Sequence, residues 1–225
     1  MRSLRDCAAF VFDMDGLLLD TERLSNAALH AGAADLGLTL PPDVFLEMIG
    51  RRGPDIRSRL ASRLGVGVAD DPVAQLIARA DVHYEAFLAR GVPVKPGAVE
   101  LLAWLESRGR PCAVATSTRT DRAERKLAAA GLRPFFQAII GGDQVEHGKP
   151  APDVYLRAAQ LLAVAPQRCG VFEDSEPGLR AAHAAGAAVC WIPDLAPVSP
   201  EVQALAAVRA VSLAHVLEAF LADAP

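Results

Sequence analysis

Two aspartates, Asp13 and Asp15, follow a short apolar segment near the start of the chain and are the first indication of its chemistry. Because they are two positions apart, their side chains would face the same way if the strand continued. Two carboxylates so close repel each other, and burying both without compensation is costly. A bound cation removes that cost, and hard oxygen ligands with room for water and phosphate suit Mg²⁺.

Three later segments carry further reactive side chains. Thr116 and Ser117 follow a second apolar segment, Lys149 lies between a glycine and a proline, and Asp174 follows Glu173 after another apolar segment. Hydroxyls and backbone N–H groups at a strand-to-helix turn can cradle a phosphate, although the same two residues could simply cap a helix. A carboxylate nucleophile, a cation, a phosphate cradle and a lysine are the parts that covalent phosphoryl transfer requires.

Apolar segments that alternate with helical patterns predict the elements that position these residues. We predict strands over 8–12, 113–115, 138–140, 170–172 and 187–192, and helices over 97–108, 121–130, 152–162, 177–185 and 213–221. This alternation is typical of βαβ units and predicts an α/β fold with an open, parallel, Rossmann-like sheet. Ligands bind beyond the carboxyl ends of such strands, where Asp13, Thr116 and Asp174 fall.

The segment from about residue 21 to residue 91 breaks the alternation, because it contains only helical patterns interrupted by glycine and proline. It predicts a small α-helical cap domain inserted after the first strand. We therefore assign residues 1–19 and 92–225 to an α/β core domain and residues 20–91 to the cap, which would close over the site and exclude water.

Composition and charge limit the classes of partner. The 225 residues are 52% hydrophobic and 22% charged, which is enough apolar material for a sizeable core. The net charge of −4 argues against nucleic acid as a partner, because binding a phosphate backbone needs a basic face. No apolar run is long enough for a membrane span, and the four cysteines show no metal or redox spacing. We expect a cytoplasmic protein with buried, reduced thiols and no membrane partner.

Four segments resemble, in order, the motifs of the haloacid dehalogenase (HAD) superfamily: D-M-D-G-L-L-L-D-T-E, A-T-S-T, G-K-P-A-P-D and F-E-D-S-E-P-G. The likeness spans residues 10–185 and is similar to the β-phosphoglucomutase-like or CbbY-type phosphatases, which carry a helical cap. A single D-x-D-G would be a weak signal, whereas four ordered motifs are specific.

The resemblance implies a role for each motif residue. Asp13 would be the nucleophile and Asp15 the general acid/base, while Thr116, Ser117 and Lys149 would bind the phosphate. Mg²⁺ would be held by Asp13, by Asp174 and by the main-chain carbonyl of Asp15. Asp15 must be protonated in the first step and ionised in the second, so we expect its pKa to lie near the working pH.

Two assignments are left open by the sequence. Glu173 either ligates the metal or supports the site through a hydrogen bond to Lys149. Arg51 and Arg52, in the cap loop that follows Gly50, either meet a polar or anionic end of the substrate or form a solvated surface. The resemblance favours the substrate role, since this group of enzymes often uses that loop.

The resemblance also bears on the fate of the phosphoryl group. β-Phosphoglucomutases have a histidine on the first cap helix where this chain has Ser25, which favours hydrolysis over mutase chemistry. We predict a Mg²⁺-dependent phosphatase that acts on a small phosphorylated metabolite, a sugar phosphate foremost, as a monomer or weak dimer. The alternatives are a β-phosphoglucomutase-type phosphomutase and a non-catalytic binding protein on the same scaffold.

Overall fold

A computed structural model describes residues 2–51, 53–67 and 71–222. The strands are β1 (Ala9–Phe12), β2 (Cys112–Ala115), β3 (Ala138–Ile140), β4 (Cys169–Glu173), β5 (Ala188–Trp191) and β6 (Val208–Arg209). The helices are α1 (Arg2–Arg5), α2 (Thr21–Asp35), α3 (Gly53–Leu64), α4 (Asp71–Leu88), α5 (Ala98–Ser107), α6 (Thr120–Ala129), α7 (Asp153–Leu161), α8 (Glu176–Ala184), α9 (Pro200–Gln203) and α10 (Leu213–Ala222).

The predicted elements are present, and each of their ends lies within one residue of the prediction. The sequence did not predict the short helices α1 and α9 or the strand β6, which is two residues long and offers no periodicity to detect.

The six strands form one parallel sheet in the order β3-β2-β1-β4-β5-β6, which confirms the predicted fold class. From β1 the chain moves outward through β2 and β3, and then returns to place β4 on the other side of β1. The strand order therefore reverses between β1 and β4. In an open α/β sheet, a crevice forms at this reversal beyond the carboxyl ends of the strands.

Alternating side chains of the central strands enter two separate apolar layers. Phe10 and Phe12 of β1 pack with Phe172 of β4 on one face, with ring centroids 5.8 and 4.8 Å apart. Val11 and Val171 point to the other face, under α7 and α8. Because both faces are covered, the strands are buried along their whole length, and each such side chain contributes roughly 1.5–3 kcal/mol.

The helices α2, α3 and α4 lie between β1 and α5 in the sequence and enclose a third apolar cluster that includes Leu29, Phe45, Leu60 and Leu76. Helices α2 and α4 approach closely at Gly32, where an added Cβ would lie 2.7 Å from a backbone nitrogen of α4. This arrangement is consistent with the predicted cap. The domain division at residues 19/20 and 91/92 stays a prediction.

The two segments that connect this helical part to the sheet run side by side. Leu19 and Val94 form an antiparallel bridge, Asp20 N–H donates to the Pro93 carbonyl at 2.8 Å, and Lys95 N–H donates to the Leu18 carbonyl at 2.9 Å. These backbone hydrogen bonds hold the two connections together where they leave the sheet.

All four cysteines are buried, as expected. Within the described ranges, no helix has both the length and the apolar character that crossing a membrane requires. The cytoplasmic location and the oligomeric state stay predictions.

Candidate active site

Three neighbouring strands deliver polar residues to the crevice where the strand order reverses. Asp13 follows β1 and its N–H donates to the Phe172 carbonyl at 3.0 Å, which keeps it in register with β4. Thr116 follows β2, and its N–H donates to the Ile140 carbonyl at 2.9 Å. Asp174 follows β4 directly. The sheet therefore brings together residues that the sequence places far apart.

Lys149 joins two of these strand ends. Its ammonium lies 2.5 Å from Asp13 Oδ1 and 2.6 Å from Glu173 Oε1, and the residue is 6% exposed. Burial alone would lower the pKa of Lys149, but the charges of Asp13 and Glu173 raise it well above its ordinary value. The lysine is thus held as a cation between two carboxylates.

Glu173 has hydrogen-bond partners on both of its carboxylate oxygens. Oε1 accepts from Lys149 and, at 2.8 Å, from the Tyr155 hydroxyl. Oε2 accepts from the backbone N–H groups of Asp174 and Ser175, at 2.9 and 2.8 Å, and from the Ser175 hydroxyl. A Cβ on residue 178 would overlap this carboxylate. Helix α8 can therefore pack against Glu173 only because residue 178 is a glycine.

The strand ends carry more negative charge than Lys149 balances. Burial raises the pKa of Asp13 to about 7 even though Lys149 acts in the opposite direction. Burial, together with the charges of Glu173, Asp13 and Glu22, raises the pKa of Asp174 well above its ordinary value. Buried Asp174 Oδ1 has no hydrogen-bond partner among the residues that the structure describes. A divalent cation bound between Asp13 and Asp174 would balance this negative charge and give Asp174 Oδ1 a partner.

The surroundings of Gly16 add to that fit. A Cβ at this position would collide with the Asp174 carboxylate, and the glycine has a φ of +92°, which other residues rarely adopt. The chain can therefore bring the backbone next to Asp15 close to Asp174. Across the described ranges, no three His, Cys, Asp or Glu side chains converge as a metal-binding group. The predicted site uses only two carboxylates and a main-chain carbonyl, so water and phosphate would supply the remaining ligands.

Asp15 lies in a different environment from Asp13. Its carboxylate accepts hydrogen bonds from the hydroxyls of Thr21 and Thr118 and from the ammonium of Lys126, the last two at 2.7 and 2.8 Å. Burial would raise the pKa of Asp15, but the charge and hydrogen bond of Lys126, helped by the two threonines, lower it. The expectation of a pKa near the working pH is therefore wrong for this conformation, because an unforeseen lysine stabilises the ionised form.

The two hydroxyl residues of the second motif do not cap the helix that follows them. Helix α6 has Arg119 at its N-cap without a side-chain cap bond, whereas Thr116 Oγ1 accepts from Thr118 N–H at 3.1 Å. The Ser117 hydroxyl donates to the Gly50 carbonyl at 2.9 Å. Ser117 thus links the end of β2 to the loop between α2 and α3.

A cavity of about 710 Å³ lies between the strand ends and the helices α2–α4. Of the residues predicted for the site, it is lined by Asp13, Asp15, Thr116, Ser117 and Arg51. Lys149, Glu173 and Asp174 are not among its lining residues. Lys149 contacts Asp13 directly, and the charges of Glu173 and Asp174 interact with that of Asp13. Arg51 Nε donates to the Glu47 carbonyl at 2.9 Å. Arg52 lies outside the described residues.

Several residues at the site were not predicted from the sequence. They include Thr21 and Thr118, whose hydroxyls contact Asp15, as well as Glu22, Lys126 and Tyr155. Glu22 lines the cavity, and burial together with the charges of Asp15 and Asp13 raises its pKa to about 8. Lys126 had a detectable signal, since it shares the apolar face of α6 with Ala123 and Leu127. Tyr155 looks like an ordinary aromatic residue of the core in the sequence, and no sequence pattern indicates that its hydroxyl contacts Glu173.

Comparison with known proteins identifies the family of this chain. The chain matches the haloacid dehalogenase-like hydrolase family over residues 7–186. It is 35% identical to protein CbbY of Rhodobacter capsulatus, over 82% of this chain and 85% of that protein. It is 36% identical to the fructose-1-phosphate phosphatase YqaB of Escherichia coli (strain K12), over 80% of this chain and 93% of that protein.

A solved structure extends the likeness to three dimensions. The crystal structure of CbbY from Rhodobacter sphaeroides in complex with phosphate has a TM-score of 0.78 and 32% identity to this chain, covering 93% of this chain and 96% of that one. The chain belongs to the haloacid dehalogenase-like hydrolase family, within its CbbY and β-phosphoglucomutase-like group. It is an enzyme of the phosphoric monoester hydrolase class.

Proposed function

We propose that this enzyme is a Mg²⁺-dependent phosphatase that hydrolyses small sugar phosphates through an aspartyl-phosphate on Asp13. The observation that carries the proposal is the position of Asp13, which lines the cavity while its Oδ1 is held by the buried Lys149. A lysine fixed against a carboxylate orients it and offsets charge as an anionic phosphate approaches. The name of the Escherichia coli relative, a fructose-1-phosphate phosphatase, supports the substrate class.

The metal would be held by Asp13, by Asp174 and by the carbonyl of Asp15. Asp13 shares the Lys149 ammonium with Glu173, and the buried Asp174 Oδ1 has no hydrogen-bond partner among the described residues. These two features support the assignment. When bound, Mg²⁺ would offset negative charge on the phosphoryl oxygens. Glu173 has donors on both oxygens, which supports a role in holding Lys149 rather than direct ligation.

The two proposed steps use Asp13 and Asp15. In the first, an oxygen of Asp13 bonds to phosphorus, the bond to the sugar oxygen breaks, and Asp15 gives that oxygen a proton. In the second, water attacks phosphorus, the bond to Asp13 breaks, and Asp15 takes a proton from the water. A neighbouring phosphate dianion raises the pKa of a carboxylate, which favours the protonated Asp15 that the first step needs.

Hydrolysis is preferred over phosphoryl transfer to a second sugar position because of the residues that face the cavity. Ser25 lines it where mutases carry a histidine, and no histidine is present among the described lining residues. Arg51, which also lines the cavity, is proposed to meet the end of the substrate that is remote from the phosphate.

The test is a panel of sugar phosphates assayed for phosphate release with and without Mg²⁺. We expect metal-dependent release that falls by at least about 10³-fold in Asp13→Asn, because the nucleophile is lost. Asp55→Asn removes an exposed carboxylate from the first turn of α3 and is the matched control. Full activity of Asp13→Asn would overturn the nucleophile. Conversion of glucose 1-phosphate to glucose 6-phosphate without free phosphate would instead establish the mutase.

A further inference from the structure

Lys126 is a lysine on the buried face of a helix. Helix α6 is amphipathic, and the residues it buries are Ala123, Lys126 and Leu127. Lys126 is 8% exposed, which is unusual for a side chain that carries a full charge. A buried charge needs a partner with good geometry, so the contacts of this ammonium indicate what it does.

The ammonium of Lys126 contacts the carboxylate of Asp15. Nζ lies 2.8 Å from Asp15 Oδ1, and the Thr118 hydroxyl donates to Asp15 Oδ2 at 2.7 Å. The Thr21 hydroxyl also donates to Oδ1. Donors on both oxygens hold the position and the rotation of the carboxylate plane, and Lys126 is the charged one among these three. Lys149 fills the equivalent place at Asp13, so each of the two aspartates has its own lysine.

An aromatic ring from the helical insert covers the same ammonium. Tyr84 of α4 places its ring centre 5.0 Å from Lys126 Nζ and is only 9% exposed. A cation over an aromatic face is attracted to it, and the ring keeps water from the ion pair. Lys126 is therefore held between the helical part, through Tyr84, and Asp15 at the end of β1.

We propose that Lys126 is a positioning residue, whose ammonium together with Thr118 aims the Asp15 carboxylate at the leaving oxygen and at the attacking water. This inference rests on the proposed function, since it concerns the reaction at Asp13. Lys126 itself makes no bond to the reacting atoms. Without Lys126, the carboxylate keeps the neutral hydroxyl donors Thr21 on Oδ1 and Thr118 on Oδ2 but loses its charged donor, so it is held less firmly in the path of the proton.

The two steps respond differently to a misplaced Asp15. Breaking the phosphorus–oxygen bond of p-nitrophenyl phosphate needs little help from an acid, because p-nitrophenolate leaves readily. Breaking that of a sugar phosphate needs a proton on the leaving oxygen. Attack by water on the aspartyl-phosphate needs Asp15 as base with either substrate. Loss of positioning therefore slows both steps for a sugar phosphate but only the second step for the aryl ester.

Rapid-quench kinetics with Mg²⁺ on Lys126→Met, Lys126→Arg and the parent enzyme test the proposal. With p-nitrophenyl phosphate, we expect Lys126→Met to release a burst close to one p-nitrophenolate per enzyme, followed by turnover about 10²-fold below the parent. With fructose 1-phosphate, it should show no burst and a loss of about 10³-fold, with KM changed less than kcat. Lys126→Arg should recover at least a tenth of the parent activity, since it restores a donor.

The matched control is Glu124→Gln, which removes a partly exposed ion pair with Arg133 from the same helix and should behave like the parent. Equal losses on both substrates without a burst, in a Lys126→Met variant that unfolds like the parent, would show a merely structural role and overturn the proposal. Parent-like kinetics of Lys126→Met would also overturn it.

If Lys126→Met does not fold, Lys126→Arg decides, because a displaced donor should still change the ratio of aryl to sugar turnover by more than about fivefold. An unchanged ratio in that variant contradicts the positioning role. The proposed function fails separately, by an active Asp13→Asn variant or by a parent enzyme that releases no phosphate from any substrate.

Discussion

The Lys149 ammonium lies 2.5 Å from a carboxylate oxygen of Asp13, although the two residues are 136 positions apart in the sequence. The same ammonium contacts Glu173, whose other oxygen is held by backbone N–H groups at the start of α8. The proposed nucleophile is therefore oriented from β4 through one buried cation.

Replacing Lys149 by methionine should both inactivate and destabilise the enzyme. Two buried carboxylates, Asp13 and Glu173, would lose their common cation, and breaking a buried pair by removing one partner costs about 3–5 kcal/mol. Urea denaturation measures the free energy of unfolding, and phosphate release measures activity. Arg63→Met, which removes the exposed cation paired with Glu47 on the surface, should change stability by less than about 1 kcal/mol. Equal stability of the two variants would contradict the role given to Lys149.

Gly178→Ala should be among the most damaging small substitutions in the chain. The added Cβ would overlap the Glu173 carboxylate, which cannot move without releasing Lys149, Tyr155 and the start of α8. We expect a loss of about 3 kcal/mol or more together with loss of activity. A Cβ added in Gly109→Ala meets no atom of the described residues within 4 Å and has only the strain of a φ of +62°, so it should cost about 1 kcal/mol. Thermal unfolding of the two variants compares them directly.

Magnesium should stabilise the enzyme, and Asp174→Asn should abolish most of this effect. A ligand at 100 times its Kd adds about 2.7 kcal/mol, which for a chain of this size raises Tm by roughly 5–10 °C. Without Mg²⁺, the same variant should be at least as stable as the parent, because it removes a buried carboxyl group whose Oδ1 has no partner among the described residues. Asp35→Asn, at the exposed end of α2, is the control. A full magnesium response in Asp174→Asn would exclude Asp174 as a ligand.

Glu22 should make stability decrease as the pH rises. Burial raises its pKa from 4.5 to about 8, so the folded chain holds a proton that the unfolded chain releases. This contribution to stability is complete below pH 4.5 and is lost as the pH rises to about 8. Glu22→Gln should therefore gain stability relative to the parent, on the order of a few kcal/mol between pH 5 and pH 8.5.

Urea unfolding at both pH values, in the presence of a chelator, checks this prediction. Glu100→Gln, which removes an exposed carboxylate on α5, is the matched control. A stability difference between Glu22→Gln and the parent that does not grow with pH would show that Glu22 is not the group responsible.

The sequence by itself determined the order of elements and the residues at the strand ends. Local patterns suffice for this, because a buried parallel strand is a short apolar run and its end is marked by the first polar residue, as at Asp13 and Asp174. It also determined the family, since four motifs in order are more specific than any one of them.

Only the tertiary structure decided which charges meet. The sequence offered no reason to pair Lys126 with Asp15, 111 positions away, or to place Tyr84 over that lysine. Those contacts depend on how α6 and α4 close around the crevice, which no local pattern specifies. The lowered pKa of Asp15 follows from these contacts, because a pKa depends on the charges and burial around a group rather than on its neighbours in the chain.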